Sequence, residues 1–139
     1  MFRRSLALAS VAVLFAGTVS AATVKFHADL TAGAEVPPST STGSGEATVT
    51  LDTVTHEITY DVTFKGFASQ VVAGHIHGPA KPGANAGVVV AFPKEPTSPI
   101  HGTAKLTDEE EAQLQAGMYY VNLHSKNNPS GAVRGQLTK

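Results

Sequence analysis

The chain has 139 residues, six histidines and no cysteine, with 10 Lys and Arg against 11 Asp and Glu. That length supports one modest core, and the near-neutral charge, without any arginine-rich stretch, removes the main electrostatic term of nucleic-acid binding. The missing cysteine excludes a disulfide framework and thiolate ligands, so a metal site would be built from histidine, carboxylate or backbone.

Residues 1–21 have the parts of a secretory signal: Arg3 and Arg4, an apolar run from Leu6 to Ala16, then Val19 and Ala21 before an expected cut. The run is shorter than the ~20 residues a bilayer span needs, and no later segment is apolar enough. The expected product is a single domain, 22–139, delivered to the periplasm or secreted. Its eight basic residues would face all eleven acidic ones, a net charge of −3 with neutral histidines.

Within 22–139 the pattern is one of short strands. Val24, Phe26, Ala28 and Leu30 alternate with polar residues, as do Ala47, Val49 and Leu51, and Ile58, Tyr60, Val62 and Phe64. Asp52–His56 is short enough for a hairpin connection. A fourth strand is expected over about Gln70–His77, a Gly- and Pro-containing loop over Gly78–Gly87, and further strands over Val88–Phe92 and Ile100–Lys105. Thr107 and Glu110 stand in capping-box relation ahead of a helix over about 108–116, which Gly117 stops. The acidic run Asp108–Glu111 suits the positive end of that helix and lacks the alternating oxygen ligands of a calcium loop. Strands over Met118–His124 and Ala132–Thr138 complete an all-β fold: a Greek-key β-sandwich or flattened barrel of about 7–8 antiparallel strands with one short helix.

Residues two apart on a strand share a face about 6.6 Å apart, so His75 and His77 can present two imidazoles to one ion. On the seventh strand His124 shares a face with Tyr120 and Asn122, and on the last Arg134 shares one with Gln136. If these strands are neighbours, three histidines and an arginine converge on an outer face or rim. Imidazole ligands suit Cu(II), Zn(II) or Ni(II), copper being the tightest of that series. Asn122 and Gln136 are candidate partners for the second nitrogens of the rings. His27 and His56 have no partner at metal spacing and read as surface residues, Tyr119 and Tyr120 as core and rim packing, and Glu35-Val36-Pro37-Pro38 as a turn ending the first strand's pairing.

Three motifs in order resemble the chordin-type family known as the CHRD domain: Ala28-Asp29-Leu30-Thr31-Ala32-Gly33-Ala34-Glu35-Val36-Pro37-Pro38, then Gly74-His75-Ile76-His77-Gly78-Pro79, then Tyr120-Val121-Asn122-Leu123-His124 through Asn128-Pro129-Ser130-Gly131 to Val133-Arg134-Gly135-Gln136-Leu137. That family includes signalling antagonists and exported bacterial proteins, so the resemblance implies a domain and not one activity. The histidines are also similar to the copper side of the copper–zinc superoxide dismutases. That resemblance implies His75, His77 and His124 as copper ligands, His101 as the histidine available for the middle ligand, and Arg134 as the arginine that guides the anion. A histidine-rich zinc loop and a disulfide are both missing, so one copper is implied and zinc is not expected as a second metal.

The expected function is therefore an exported copper-only superoxide dismutase. Its substrate would be the small superoxide anion, Arg134 with Lys126 would supply the local positive field, and no nucleic acid or membrane span is involved. A non-catalytic module that binds or stores metal, or binds another protein, is the alternative. A hydrolase is a distant third, because no nucleophile–base setting is visible.

Overall fold

The computed structural model describes Gly17 and residues 22–139; the segment read as a signal, 1–21, lies outside the described residues apart from Gly17. Among the described residues there are eight strands: β1 (Thr23–Leu30), β2 (Ser44–Asp52), β3 (Glu57–Lys65), β4 (Val71–His77), β5 (Val88–Ala91), β6 (Ile100–Lys105), β7 (Tyr120–Ser125) and β8 (Val133–Gln136), with helix α1 (Asp108–Gln115) between β6 and β7. They form two four-stranded antiparallel sheets in the orders β1-β2-β3-β6 and β5-β4-β7-β8. The architecture is a sandwich and not a closed barrel. Isolated bridges His27↔Thr138 and Thr31↔Arg134 stitch β1 to the β8 end of the chain along one edge. Gly135 permits this approach, since a Cβ there would run into the Asp29 carbonyl.

Alternation builds the core as expected. Phe26, Ala28, Leu30, Ala47, Val49, Leu51, Ile58, Tyr60 and Val62 face inward from the first sheet, and Ile76, Val121, Leu123 and Val133 from the second. Burial of such side chains contributes about 1.5–3 kcal/mol each, which is what holds two short-stranded sheets together. The helix forms as its cap demands: the Thr107 hydroxyl accepts from Glu110 N–H, the Glu110 carboxylate accepts from Thr107 N–H, and Gly117 adopts φ +74°. Among the described residues no helix is long and apolar enough to cross a membrane.

One departure from simple alternation positions the site. Val71 faces the core, and strict alternation would turn Ala73, His75 and His77 inward with it. Instead two residues of β4 oppose one of β7 between Val71 and Ala73, and beyond this bulge Gly74 and Ile76 are buried while His75 and His77 face outward. Two imidazoles are thereby kept out of the apolar interior.

The outer faces of the two sheets differ. That of β1-β2-β3-β6 is open, whereas the outer face of β4-β7-β8 is roofed by residues 31–41, with a 3-10 turn at Ala32–Ala34, and by the loop 78–87. The two roof segments are joined, since Asn85 Nδ2 donates to the Val36 carbonyl at 3.0 Å. Ser39 Oγ donates to the Ala132 carbonyl, and Asn128 Nδ2 to Thr40 Oγ1.

Candidate metal centre

Strands β4 and β7 pair so that His75 lies opposite Asn122 and Ala73 opposite His124. The His75, His77 and His124 side chains converge, each offering one ring nitrogen, and these atoms lie within 4.8 Å of one another. His75 Nδ1 is 3.1 Å from His124 Nε2, and the ring centroids of His75 and His77 are 5.2 Å apart.

The other ring nitrogens explain the orientation. His77 Nδ1 lies 3.0 Å from the Ala86 carbonyl and His124 Nδ1 lies 3.0 Å from the Pro129 carbonyl. A carbonyl oxygen only accepts, so in the neutral form of each ring Nδ1 carries the proton and Nε2 presents a lone pair. His77 Nε2 is buried and has no hydrogen-bond partner in the structure. A buried acceptor without a partner costs about 1–3 kcal/mol, and a cation between the three rings would satisfy it. Burial, with His124 and His77 alongside, pushes the His75 imidazole down to about 4, and burial likewise lowers His77. Both rings are thus neutral and available as ligands at pH 7. The residues fit a nitrogen-bound transition metal.

The expected outer partners differ. Asn122 and Gln136 do not serve the histidines: Asn122 Nδ2 donates to the Glu35 carboxylate and to the Val133 carbonyl, and Gln136 Nε2 donates to the Ala80 and Gly117 carbonyls. Backbone carbonyls of two loops take the role instead. Nothing in the side-chain pattern of the strands marks such carbonyls.

His101 is not brought to the cluster. It lies on β6 of the opposite sheet, exposed and hydrogen-bonded to Asp61, because the outward face of β6 belongs to the other side of the sandwich. Arg134 is near the histidines but is only 2% exposed, which does not suit a guanidinium that meets anions at a surface. Its Cζ lies 3.5 Å from the Tyr120 ring centroid, and Tyr120 in turn stacks on His77 with centroids 5.0 Å apart. His27 bonds Asp29 on the open face, as a surface residue does. His56 ties the β2–β3 turn to α1 through Glu111 at 2.6 Å, so one of the helix's acidic residues is a buried anchor as well as a complement to the helix dipole.

A cavity of about 450 Å³ opens onto the site, and His77, His124, Tyr120, Asn85, Ser130 and Glu35 are among its lining residues. Glu35 is the residue whose importance the sequence concealed. Burial pushes its carboxyl up to about 7, against the opposing effects of the Asn122 hydrogen bond and the Arg134 charge. Gly131, at φ +147°, leaves it room, since a Cβ there would approach Glu35 Oε2 to 2.6 Å. The signal that could have found it is an acidic residue set among Ala34, Val36, Pro37 and Pro38, where nothing local favours a charge.

A family model described as the CHRD domain matches residues 26–137, which takes in every strand but the first residues of β1. No curated protein and no solved structure matches the chain.

Proposed function

The chain belongs to the CHRD-domain family, and from that premise we propose that it is an exported copper-binding protein, most concretely a copper-only superoxide dismutase. The observation that carries the reading is the convergence of His75, His77 and His124, with a buried His77 Nε2 that lacks a partner. Three imidazoles rank copper tightest among the divalent metals, and the cavity gives a small anion and water a path to His77 and His124. Bound copper would supply a one-electron couple, by which one superoxide gives up an electron to become oxygen and a second gains it and two protons from water to become hydrogen peroxide. The protein's share is to orient the His77 and His124 rings through the Ala86 and Pro129 carbonyls, to keep His75 neutral by burial, and to keep Glu35 as a protonatable group in the cavity wall. The Arg3 and Arg4 pair with the apolar run from Leu6 supports export, and so action in the periplasm or outside the cell.

The test is superoxide decay by copper-loaded protein, compared with free copper and with His75→Ala/His77→Ala. Decay well above free copper that disappears in the double variant is the expected result; decay equal to free copper defeats the dismutase reading. A second reading, a non-catalytic module that binds or stores metal, is favoured by the burial of Arg134, which leaves the cavity without the exposed guanidinium that would concentrate superoxide. Tight copper binding without turnover would select it.

A further inference from the structure

We infer that Arg134 is a positioning residue that fixes the ring and tautomer of His77 by clamping residues 84–86 and backing Tyr120. The inference rests on the metal reading of the triad and adds how one of its rings is set.

Six contacts carry it. Arg134 Nη1 donates to Asn85 Oδ1 at 3.0 Å and Nη2 to the Ala84 carbonyl at 2.6 Å, so both arms of the guanidinium hold the loop that follows β4. The next residue, Ala86, supplies the carbonyl that accepts from His77 Nδ1. Ala86 is also held by Tyr120, whose hydroxyl oxygen accepts from Ala86 N–H at 3.0 Å. Finally, Tyr120 lies on β7, between β4 and β8, so its ring takes His77 on the side of one neighbouring strand and Arg134 on the side of the other. The two planes of Tyr120 and His77 are 5° from parallel.

The guanidinium therefore reaches His77 by two routes, through the loop carbonyl and through the stacked ring, without touching it. A planar fork with several fixed donors does this; a lysine ammonium in the same place would keep the charge and lose the paired hold on Asn85 and Ala84. With Ala86 displaced, the His77 Nδ1 proton would lose its 3.0 Å acceptor, and Nε2 would be protonated and closed to a metal for part of the time. Outer partners of ligating histidines commonly contribute 10–100-fold in metal affinity, and Arg134 stands one step behind such a partner.

The experiment is ¹⁵N NMR of the imidazoles in metal-free protein, which reads the tautomer directly, together with Cu(II) affinity by chelator competition. Wild type should show His77 protonated at Nδ1 alone. Arg134→Gln should give mixed tautomers and a roughly 10–100-fold weaker copper affinity, with Arg134→Lys also impaired. Asn85→Ala, which cuts one arm of the clamp and leaves the buried charge, should move both readouts the same way and serves if Arg134→Gln does not fold. The tautomer decides: a single Nδ1–H form of His77 retained in the folded variants, or an Nε2–H form in wild type, overturns the inference. Wild type that binds no copper would sink the proposed function while the NMR result still judges Arg134.

Discussion

The outer face of β1-β2-β3-β6 and the outer face of β4-β7-β8 have the same origin, the polar half of strands that alternate, yet they have different chemistry. Row by row the first carries His27, Thr48, Asp61 and His101 side by side across four strands, its histidines bonded only to nearby carboxylates. The second carries His75, Asn122 and Arg134 side by side across three, under a roof of two loops that buries Asn122 and Arg134 and perturbs the titration of His75, His77 and Glu35. An imidazole beside water is a surface group. The same imidazole under a roof, with one nitrogen pinned and the other unpartnered, is free to act as a ligand.

The largest effect that would sharpen this contrast is on metal. His75→Ala/His77→Ala should weaken copper affinity by more than the 10–100-fold typical of losing an outer partner, while His27→Ala/His101→Ala should leave it unchanged in the same chelator competition. Equal losses in the two variants would break the comparison.

Stability comes next. Asn122→Ala leaves the Glu35 carboxyl without its donor in a buried place and should cost about 1–3 kcal/mol in urea unfolding, whereas Thr48→Ala on the open face should stay within about 0.5 kcal/mol.

The pH response should separate the faces more gently. His75 is held at about 4 in the fold against 6.5 unfolded, so the unfolded chain takes up the proton first, and metal-free stability should decline as pH falls from about 6.5 toward 4. Glu35 works in the opposite sense. Its folded value of about 7 lies above the ordinary 4.5, so the unfolded chain ionises first and stability declines as pH rises from about 4.5 through 7. Glu35→Gln should remove that alkaline decline, and a variant whose thermal midpoint still falls from pH 5 to pH 8 as in wild type would count against a buried neutral Glu35. The smallest effect is expected at His101→Ala alone, within about 0.5 kcal/mol, because its hydrogen bond with Asp61 is exposed on both sides.

Much of the sandwich was legible because alternation with period 2 is a direct imprint of a sheet with one dry face. Strands β1, β3 and β6 lie close to where Phe26, Tyr60 and Ile100 place them, and α1 starts where Thr107 and Glu110 require. The ends of β7 and β8 were less so: Met118 and Tyr119 precede the pairing, and Thr138 meets β1 through an isolated bridge. The His75–His77 pair and its convergence with His124 were readable from spacing and a neighbouring-strand assumption. His101 was misplaced because spacing along the chain does not tell which sheet a strand joins.

What the sequence determined alone is the local physics: which residues alternate, where the helix is capped, and which side chains have nitrogen to offer a metal. Pairing order, the bulge after Val71 that turns His75 and His77 outward, and the roof that buries Glu35 and Arg134 were decided only by the tertiary structure. The reason is that burial and the identity of a hydrogen-bond partner depend on residues such as Ala86 and Pro129, whose contribution is a backbone carbonyl that every residue possesses and no side-chain pattern records.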